Sequence, residues 1–221
     1  MNTMRLYSGP LSMFGMKVQI ALAEKALDFE LVLVPFTDQH RYDPKHPDVL
    51  RANPKGQVPV LLHGEVAVFD STQIFEYLED LAPAPPLWPA DIVARAAAPQ
   101  LEHMSDEVYF PHVIRLMGLP ADDAAVAARA AAAQFYGRMD ALLDGRDYLA
   151  GDYSYADIAF YMAQLFGDRM GAPVTAATPR LTAWRDRLTE RPPVRDVVGA
   201  MASYLVAHGR PLPAFMARTL P

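Results

Sequence analysis

The chain has 221 residues, 52% of them hydrophobic and 21% charged, the composition of a folded globular protein with room for one large or two modest domains. A net charge of −6 and a sequence pI near 5.5 leave no basic footprint for nucleic acid, and with no cysteine there is neither a disulfide framework nor a thiolate nucleophile in the chain itself. No apolar run reaches the ~18 to 20 residues of a membrane span, and Met1-Asn2-Thr3-Met4-Arg5 leads into a strand pattern rather than a signal-peptide core, so no membrane partner and a cytoplasmic location are expected.

Arg5-Leu6-Tyr7 reads as a short strand, and residues 14–25 as a helix with Phe14, Val18, Ala21 and Leu22 on one face. Residues 29–34 form a second strand, ended by Pro35. The stretch 36–52 is polar and holds two prolines, which predicts a loop with at most a short helix at 48–51. Val60-Leu61-Leu62, a turn at His63-Gly64 and Val66-Ala67-Val68-Phe69 describe a hairpin, after which Ser71 caps a helix to Leu81. The order is that of a mixed α/β unit over residues 1–81.

Ala82-Pro83-Ala84-Pro85-Pro86-Leu87-Trp88-Pro89 breaks this composition, and its prolines predict a stiff linker over 82–90. Beyond it the pattern is helical at 91–117, 121–143, 154–170, 178–190 and 194–207, so residues 91–221 are expected to form an all-α domain. Ser154-Tyr155-Ala156-Asp157 fits a capping box, with the serine at the helix start and Asp157 reaching back to its N–H. Ile158, Tyr161, Met162, Leu165 and Phe166 share one face of that helix while Ala159, Phe160 and Ala163 cover much of the other, which places it at the centre of its domain. The alanine-rich run 124–133 needs nothing beyond helix propensity to account for it.

Two short stretches carry the chemistry. In Asn53-Pro54-Lys55-Gly56-Gln57-Val58-Pro59-Val60-Leu61 a proline stands directly before an apolar strand, a place open to it only at the strand's first residue or edge. A cis Val58-Pro59 bond would turn the N–H and C=O of Val58 outward, where an extended peptide pairs with them as an added strand. Asp70-Ser71 then ends one strand and opens a helix. A helix start offers N–H groups and the positive end of a dipole to a carboxylate, the Ser71 hydroxyl adds a donor, and Asp70 can pair with an ammonium. The amine and carboxylate of one amino acid would both be held. His40, His46, His63, His103, His112 and His208 show no metal-ligand spacing, and there is no Gly-x-Gly-x-x-Gly or phosphate loop, so neither a metal nor a nucleotide cofactor is expected.

The segment Leu11-Ser12-Met13-Phe14-Gly15-Met16-Lys17-Val18-Gln19-Ile20-Ala21-Leu22-Ala23-Glu24-Lys25, the Asn53 to Pro59 block, the Asp70-Ser71 pair and Gly151-Asp152-Tyr153-Ser154-Tyr155-Ala156-Asp157-Ile158, in that order, resemble the glutathione S-transferase family over nearly the whole chain. The resemblance implies a thioredoxin-like first domain, a helical second domain, glutathione as co-substrate and a homodimer. The first block is most similar to the serine-type classes (phi, tau, theta, zeta), whose pattern is Ser-Pro-Phe-x-x-Lys/Arg-Val. Met13 stands where that pattern has proline, and Asp70 where glutamate is more usual. The absence of cysteine excludes the family's cysteine-type branches.

By this resemblance Ser12 is the catalytic serine. A thiol of pKa near ~8.5 gains thiolate at about 1.36 kcal/mol per unit of depression, and hydroxyl, N–H groups and dipole at a helix start act on the sulfur together. Tyr7 is the alternative, because the tyrosine-type classes place their activating residue at the end of the first strand; a plain N-cap and a plain strand aromatic are the competing structural roles. For glutathione, the resemblance assigns Val58 to main-chain pairing with the cysteinyl unit, Pro59 to fixing its geometry, Gln57 to reaching the tripeptide, and Asp70 with Ser71 to the γ-glutamyl end. A loop cation, Lys45, His40 or Arg41, would take the glycyl carboxylate. A small hydrophobic electrophile is expected against Leu11, Met13 and Phe14 together with Tyr109, His112, Arg115 and Leu116, closed by the tail at 204–215. The expected activity is attack of the glutathione sulfur on that electrophile. Another glutathione-dependent reaction (isomerase, dehalogenase, peroxidase) or a non-catalytic binding or regulatory role on the same fold is the alternative.

Overall fold

In the computed structural model, which describes residues 3–37, 39–43, 45–118 and 121–220, the first part of the chain is organised around the strand β1 (Met4–Ser8). Side chains alternate along it. Leu6 is buried on one side, and Tyr7 on the other joins a cluster with Val34, Val49 and Val60. After β1 come α1 (Met13–Glu24), β2 (Phe29–Leu33), α2 (Pro47–Ala52), β3 (Val60–His63), β4 (Val66–Phe69) and α3 (Ser71–Leu81). The strands form one sheet in the order β2-β1-β3-β4, with β1 parallel to β2 and antiparallel to β3, and β3 antiparallel to β4. A right-handed crossover through a helix is the usual way to join parallel strands such as β1 and β2. α1 and α3 pack on each other, with Ile20 and Ala21 buried on the first and Ile74, Phe75 and Leu78 buried on the second. This is a thioredoxin-like α/β arrangement.

Local differences from the sequence reading have local causes. The hairpin turns at Gly64-Glu65, because His63 still pairs with Val66 and Gly64 takes the positive φ of 61°. α3 is capped by Asp70 and not by Ser71: the Asp70 carboxylate accepts from the Thr72 N–H at 3.0 Å and Ser71 is the first helical residue. α2 begins one residue before the predicted short helix, with Pro47 in its first turn and the His46 ring nitrogen accepting from the Asp48 N–H at 3.2 Å.

The chain divides into two units, Met1–Pro85 and Pro86–Pro221. The proline-rich stretch between α3 and the second unit is fastened at each end. In the first unit the Lys25 ammonium, its side chain fully buried, donates to the carbonyls of Ala82 at 2.7 Å and Pro85 at 3.0 Å and pairs with Glu79 at 2.7 Å. In the second, the Leu87 carbonyl accepts from Tyr155 and the Trp88 ring meets Tyr155 edge-on at 4.7 Å.

The second unit is helical: α4 (Ile92–His103), α5 (Phe110–Arg115), α6 (Asp123–Leu142), α7 (Tyr155–Arg169), α8 (Pro179–Thr189) and α9 (Pro192–Ala207), with a 3₁₀ turn at Ala214–Thr219. Every residue of α7 from Tyr155 to Leu165 is buried, so this helix is the unit's core. The single long helix expected over 91–117 is instead α4, a π-helical turn at Met104–Tyr109 and α5. Pro111 has no N–H to continue an α ladder, and the preceding Phe110 N–H bonds one residue further back than usual, to Ser105. The wide turn swings Tyr109 into an aromatic core with Phe135, Tyr136 and Phe160.

Candidate functional site

The sheet register brings the three motif segments of the first unit to one edge. Tyr7 pairs with Val60 across β1 and β3, so the chain leaving β1 toward Ser12 departs beside the residues that enter β3, namely Val58 and Pro59. Val60 in turn pairs with Phe69, so Pro59 and Asp70 are the next neighbours outward, one strand spacing apart. The N-termini of α1 and α3 therefore start from the same edge. Two helix starts here favour anionic ligand groups.

Ser12 has extended backbone (φ −85°, ψ 106°) and caps α1: its Oγ accepts from the Gly15 N–H at 3.1 Å. An oxygen that accepts in this way still carries its own proton to donate, so capping and sulfur activation do not compete for the same atom. The cap is held in place by a close approach. A Cβ on Gly15 would lie 2.8 Å from the Ser8 Cβ at the end of β1, so only glycine lets the first turn of α1 rest on the strand. Gly15→Ala is accordingly expected to destabilise the chain by roughly 1 to 3 kcal/mol by overpacking, although alanine is the better helix former. A urea denaturation midpoint equal to or above that of the wild type would contradict this.

Tyr7 does not share this freedom. It is 1% exposed, and its hydroxyl donates to the Asp48 carboxylate at the start of α2. A phenol has one proton to give, and burial together with that bond pushes the Tyr7 phenol up, away from easy ionisation. Asp48 is held low by the same bond and by Arg51, whose guanidinium it also accepts from.

The Asn53 to Pro59 block is a turn built by Asn53, a residue to which the family resemblance gives no role of its own. Asn53 is buried; its Oδ1 accepts from the Lys55 N–H at 2.9 Å and its Nδ2 donates to the Gln57 carbonyl at 2.7 Å. Its own carbonyl accepts from Gly56, which has φ +59°, a conformation that costs glycine nothing. The Asx turn was readable from an asparagine before proline at a helix end. The Val58-Pro59 bond is cis. Val58 packs against the Tyr7 cluster, Pro59 is buried and Gln57 is exposed.

Asp70 is exposed and holds φ +73° and ψ 129°, a strained backbone for a residue with a Cβ, of the kind that concentrates at ligand sites. Ser71 beside it is 3% exposed. Among the loop cations, His40 and Arg41 are exposed in a small turn in which Thr37 and Arg41 exchange backbone bonds, and Lys45 stands 3.4 Å from Asp43. Leu11 and Met13 are buried and Phe14 is half-buried in the first unit. In the second unit His112 is half-buried and Arg115 exposed. Tyr109 and Leu116, expected on the pocket wall, are fully buried, and the Tyr109 hydroxyl is paired with that of Tyr136 at 2.5 Å; their placement is that of core residues, because the π turn points Tyr109 inward.

Residues 6–86 match the family model of the glutathione S-transferase N-terminal domain, and residues 90–192 that of the C-terminal domain. Glutathione S-transferase 3 of Zea mays is 33% identical over 215 residues, which cover 91% of this chain and 96% of that one. Glutathione S-transferase 1 of Dianthus caryophyllus is 44% identical over 93 residues, a match that covers 42% of this chain and 41% of that one. Among solved structures, glutathione S-transferase-I bound with the ligand lactoylglutathione superposes with a TM-score of 0.76 at 26% identity, covering 90% of this chain and 99% of that one.

Proposed function

We propose that this chain, which belongs to the glutathione S-transferase family, binds glutathione along the edge where β1, β3 and β4 meet and joins its sulfur to a small hydrophobic electrophile. The observation that carries this reading is the convergence of Ser12, Val58-Pro59 and Asp70-Ser71 at one edge of the sheet. The Val58 backbone pairs with the cysteinyl unit, Asp70 takes the γ-glutamyl ammonium, and Ser71 with the start of α3 takes its carboxylate. Ser12 donates its hydroxyl proton to the sulfur without losing it. The thiol proton leaves to solvent, and the thiolate attacks the electrophile, displacing its leaving group as an anion or adding to an activated double bond whose resulting carbanion takes a proton from solvent. Lys45, His40 or Arg41 supplies the cation for the glycyl carboxylate. No helix among the described residues is long and apolar enough to cross a membrane, and we place the reaction in the cytoplasm, with a second copy of the chain as partner. Apolar surface suited to such a dimer includes Val66 and Phe69 on β4 and Ile92 and Val93 on α4.

Saturating glutathione is expected to raise the melting temperature, since a ligand at a hundred times its Kd stabilises the fold by about 2.7 kcal/mol. A melt unmoved by millimolar glutathione would sink the reading. Asp70→Asn keeps an acceptor for Thr72 and tolerates the positive φ, but removes the charge that meets the ammonium. It is expected to weaken glutathione binding by roughly 1 to 3 kcal/mol, as is Ser71→Ala. Calorimetric affinities equal to the wild type's in both variants would move the γ-glutamyl site elsewhere.

A further inference from the structure

α2 is six residues long, too short to hold itself in place, yet it leads directly into the turn that presents Val58. Two anchors tie it to the sheet. Val49 is buried in the cluster with Tyr7, Val34 and Val60, and the Tyr7 hydroxyl reaches from β1 to the Asp48 carboxylate in the first turn of α2. The His46 ring, which caps α2, lies against the Tyr7 ring with centroids 4.8 Å apart. From Asp48 the connection to the site is continuous: the Asn53 N–H closes α2 on Val49, and the Asn53 side chain grips the Gln57 carbonyl immediately before Val58. Tyr7 itself pairs with Val60 through the β1–β3 ladder, so one residue holds both the entry to α2 and the strand that leaves the turn.

We propose that Tyr7 and Asp48 are positioning residues for glutathione, their bond fixing α2 and through Asn53 the Val58 backbone that the peptide pairs with. This rests on the glutathione site assigned above and extends it to a pair that touches neither the sulfur nor the peptide. The tyrosine at the end of β1 thus acts on binding and not on sulfur ionisation. Its proton is committed to a carboxylate 41 positions along the chain.

The test uses Tyr7→Phe, which keeps the ring and its packing, with Asp48→Ala and the conservative Asp48→Asn, which retains an acceptor oxygen. Tyr7→Phe and Asp48→Ala are each expected to raise the Kd and KM for glutathione about three- to tenfold, the equivalent of one net hydrogen bond. Asp48→Asn should recover most of the loss, and the double variant Tyr7→Phe with Asp48→Ala should bind no worse than Asp48→Ala alone, since that variant already breaks the Tyr7 bond along with the one from Arg51. The kcat at saturating glutathione and the pH midpoint of thiolate absorbance in the complex should stay within twofold and unshifted. A lowered melting temperature with unchanged Kd and KM would make the pair merely structural and overturn the proposal. A raised thiolate midpoint in Tyr7→Phe would overturn it the other way, by making Tyr7 the activator. Failure of the wild-type protein to bind glutathione would instead count against the site assignment itself, before any variant is compared.

Discussion

Replacing Ser12 by alanine is expected to lower turnover at neutral pH by about ten- to a thousand-fold, the range for loss of one donor to a developing or bound anion. A thiolate is larger and more diffuse than an oxyanion, so the lower end of that range is expected. The physical cause is a raised pKa of bound glutathione: without the Ser12 proton, less of the sulfur is ionised at pH 7. The defect should therefore shrink as pH rises and the thiol ionises unaided. The N–H groups at the start of α1 remain, so a residual rate persists. Ser12 is also the cap of α1 through its bond from Gly15, and losing that acceptor costs about 1 kcal/mol of stability. A modest fall in melting temperature is thus expected beside the large fall in rate. The measurement that decides is thiolate absorbance of the glutathione complex against pH for the wild type, Ser12→Ala and Tyr7→Phe. The expected result is a curve displaced upward in pH for Ser12→Ala alone. Were neither curve displaced, the fold would be serving a binding role without sulfur activation.

The largest effect on folding is expected at Asp157, far from that chemistry in sequence. Its buried carboxylate accepts four bonds: from the Leu149 N–H and the Trp184 indole N–H, both at 2.9 Å, from the Ser154 N–H at 3.0 Å and from the Ser154 hydroxyl at 3.2 Å. Asp157→Ala strands these donors in the core of the second unit and is expected to cost on the order of 3 to 5 kcal/mol, roughly 10 °C in melting temperature for a chain of this size. Asp157→Asn, which keeps one acceptor but turns an amide N–H toward donors, should fall between.

Burial pushes the Asp157 carboxyl up to about 6, against the pull of those four donors toward the ionised form. Because the folded chain then holds this proton more tightly than the unfolded one, the associated stability is fully present below the ordinary carboxylate pKa of 3.8 and is lost as pH rises through about 6. The stability difference between the wild type and Asp157→Asn, whose side chain does not titrate, should accordingly shrink between pH 4 and pH 6, by up to about 3 kcal/mol. A difference that is flat across that interval, or a carboxyl carbon of Asp157 titrating near 4 by NMR, would contradict it.

Much of this architecture is legible in the chain itself where neighbours decide it. The short strand at Arg5-Leu6-Tyr7, the glycine at the hairpin, the breadth of the apolar belt on α7 and the Ser154–Asp157 spacing all rest on residues within a turn or two of each other. The reach of Asp157 back to the Ser154 N–H is one such contact. The family motif likewise marks Ser12, Val58-Pro59 and Asp70-Ser71 without the fold. The swap of cap from Ser71 to Asp70 shows the limit even of local reading: two adjacent residues both suit a helix start, and the strained backbone at Asp70 decides between them.

Tertiary packing decided the rest. Whether the Tyr7 hydroxyl proton is free or committed depends on Asp48 coming under Tyr7, a contact across 41 positions that no periodicity encodes. Asp157 becomes a fourfold acceptor only when α8 brings Trp184 to it. Lys25 reads as the charged end of a helix until the carbonyls of Ala82 and Pro85 and the Glu79 carboxylate close around its ammonium. Tyr109 reads as pocket wall until the π turn points it into the core. Helix and strand propensities, caps and turns are set by torsions and bonds spanning a few residues, and so are written in the sequence. The partner of a buried polar group is set by which distant segments pack together, because burial demands that each donor and acceptor be met by whatever the fold brings within about 3 Å.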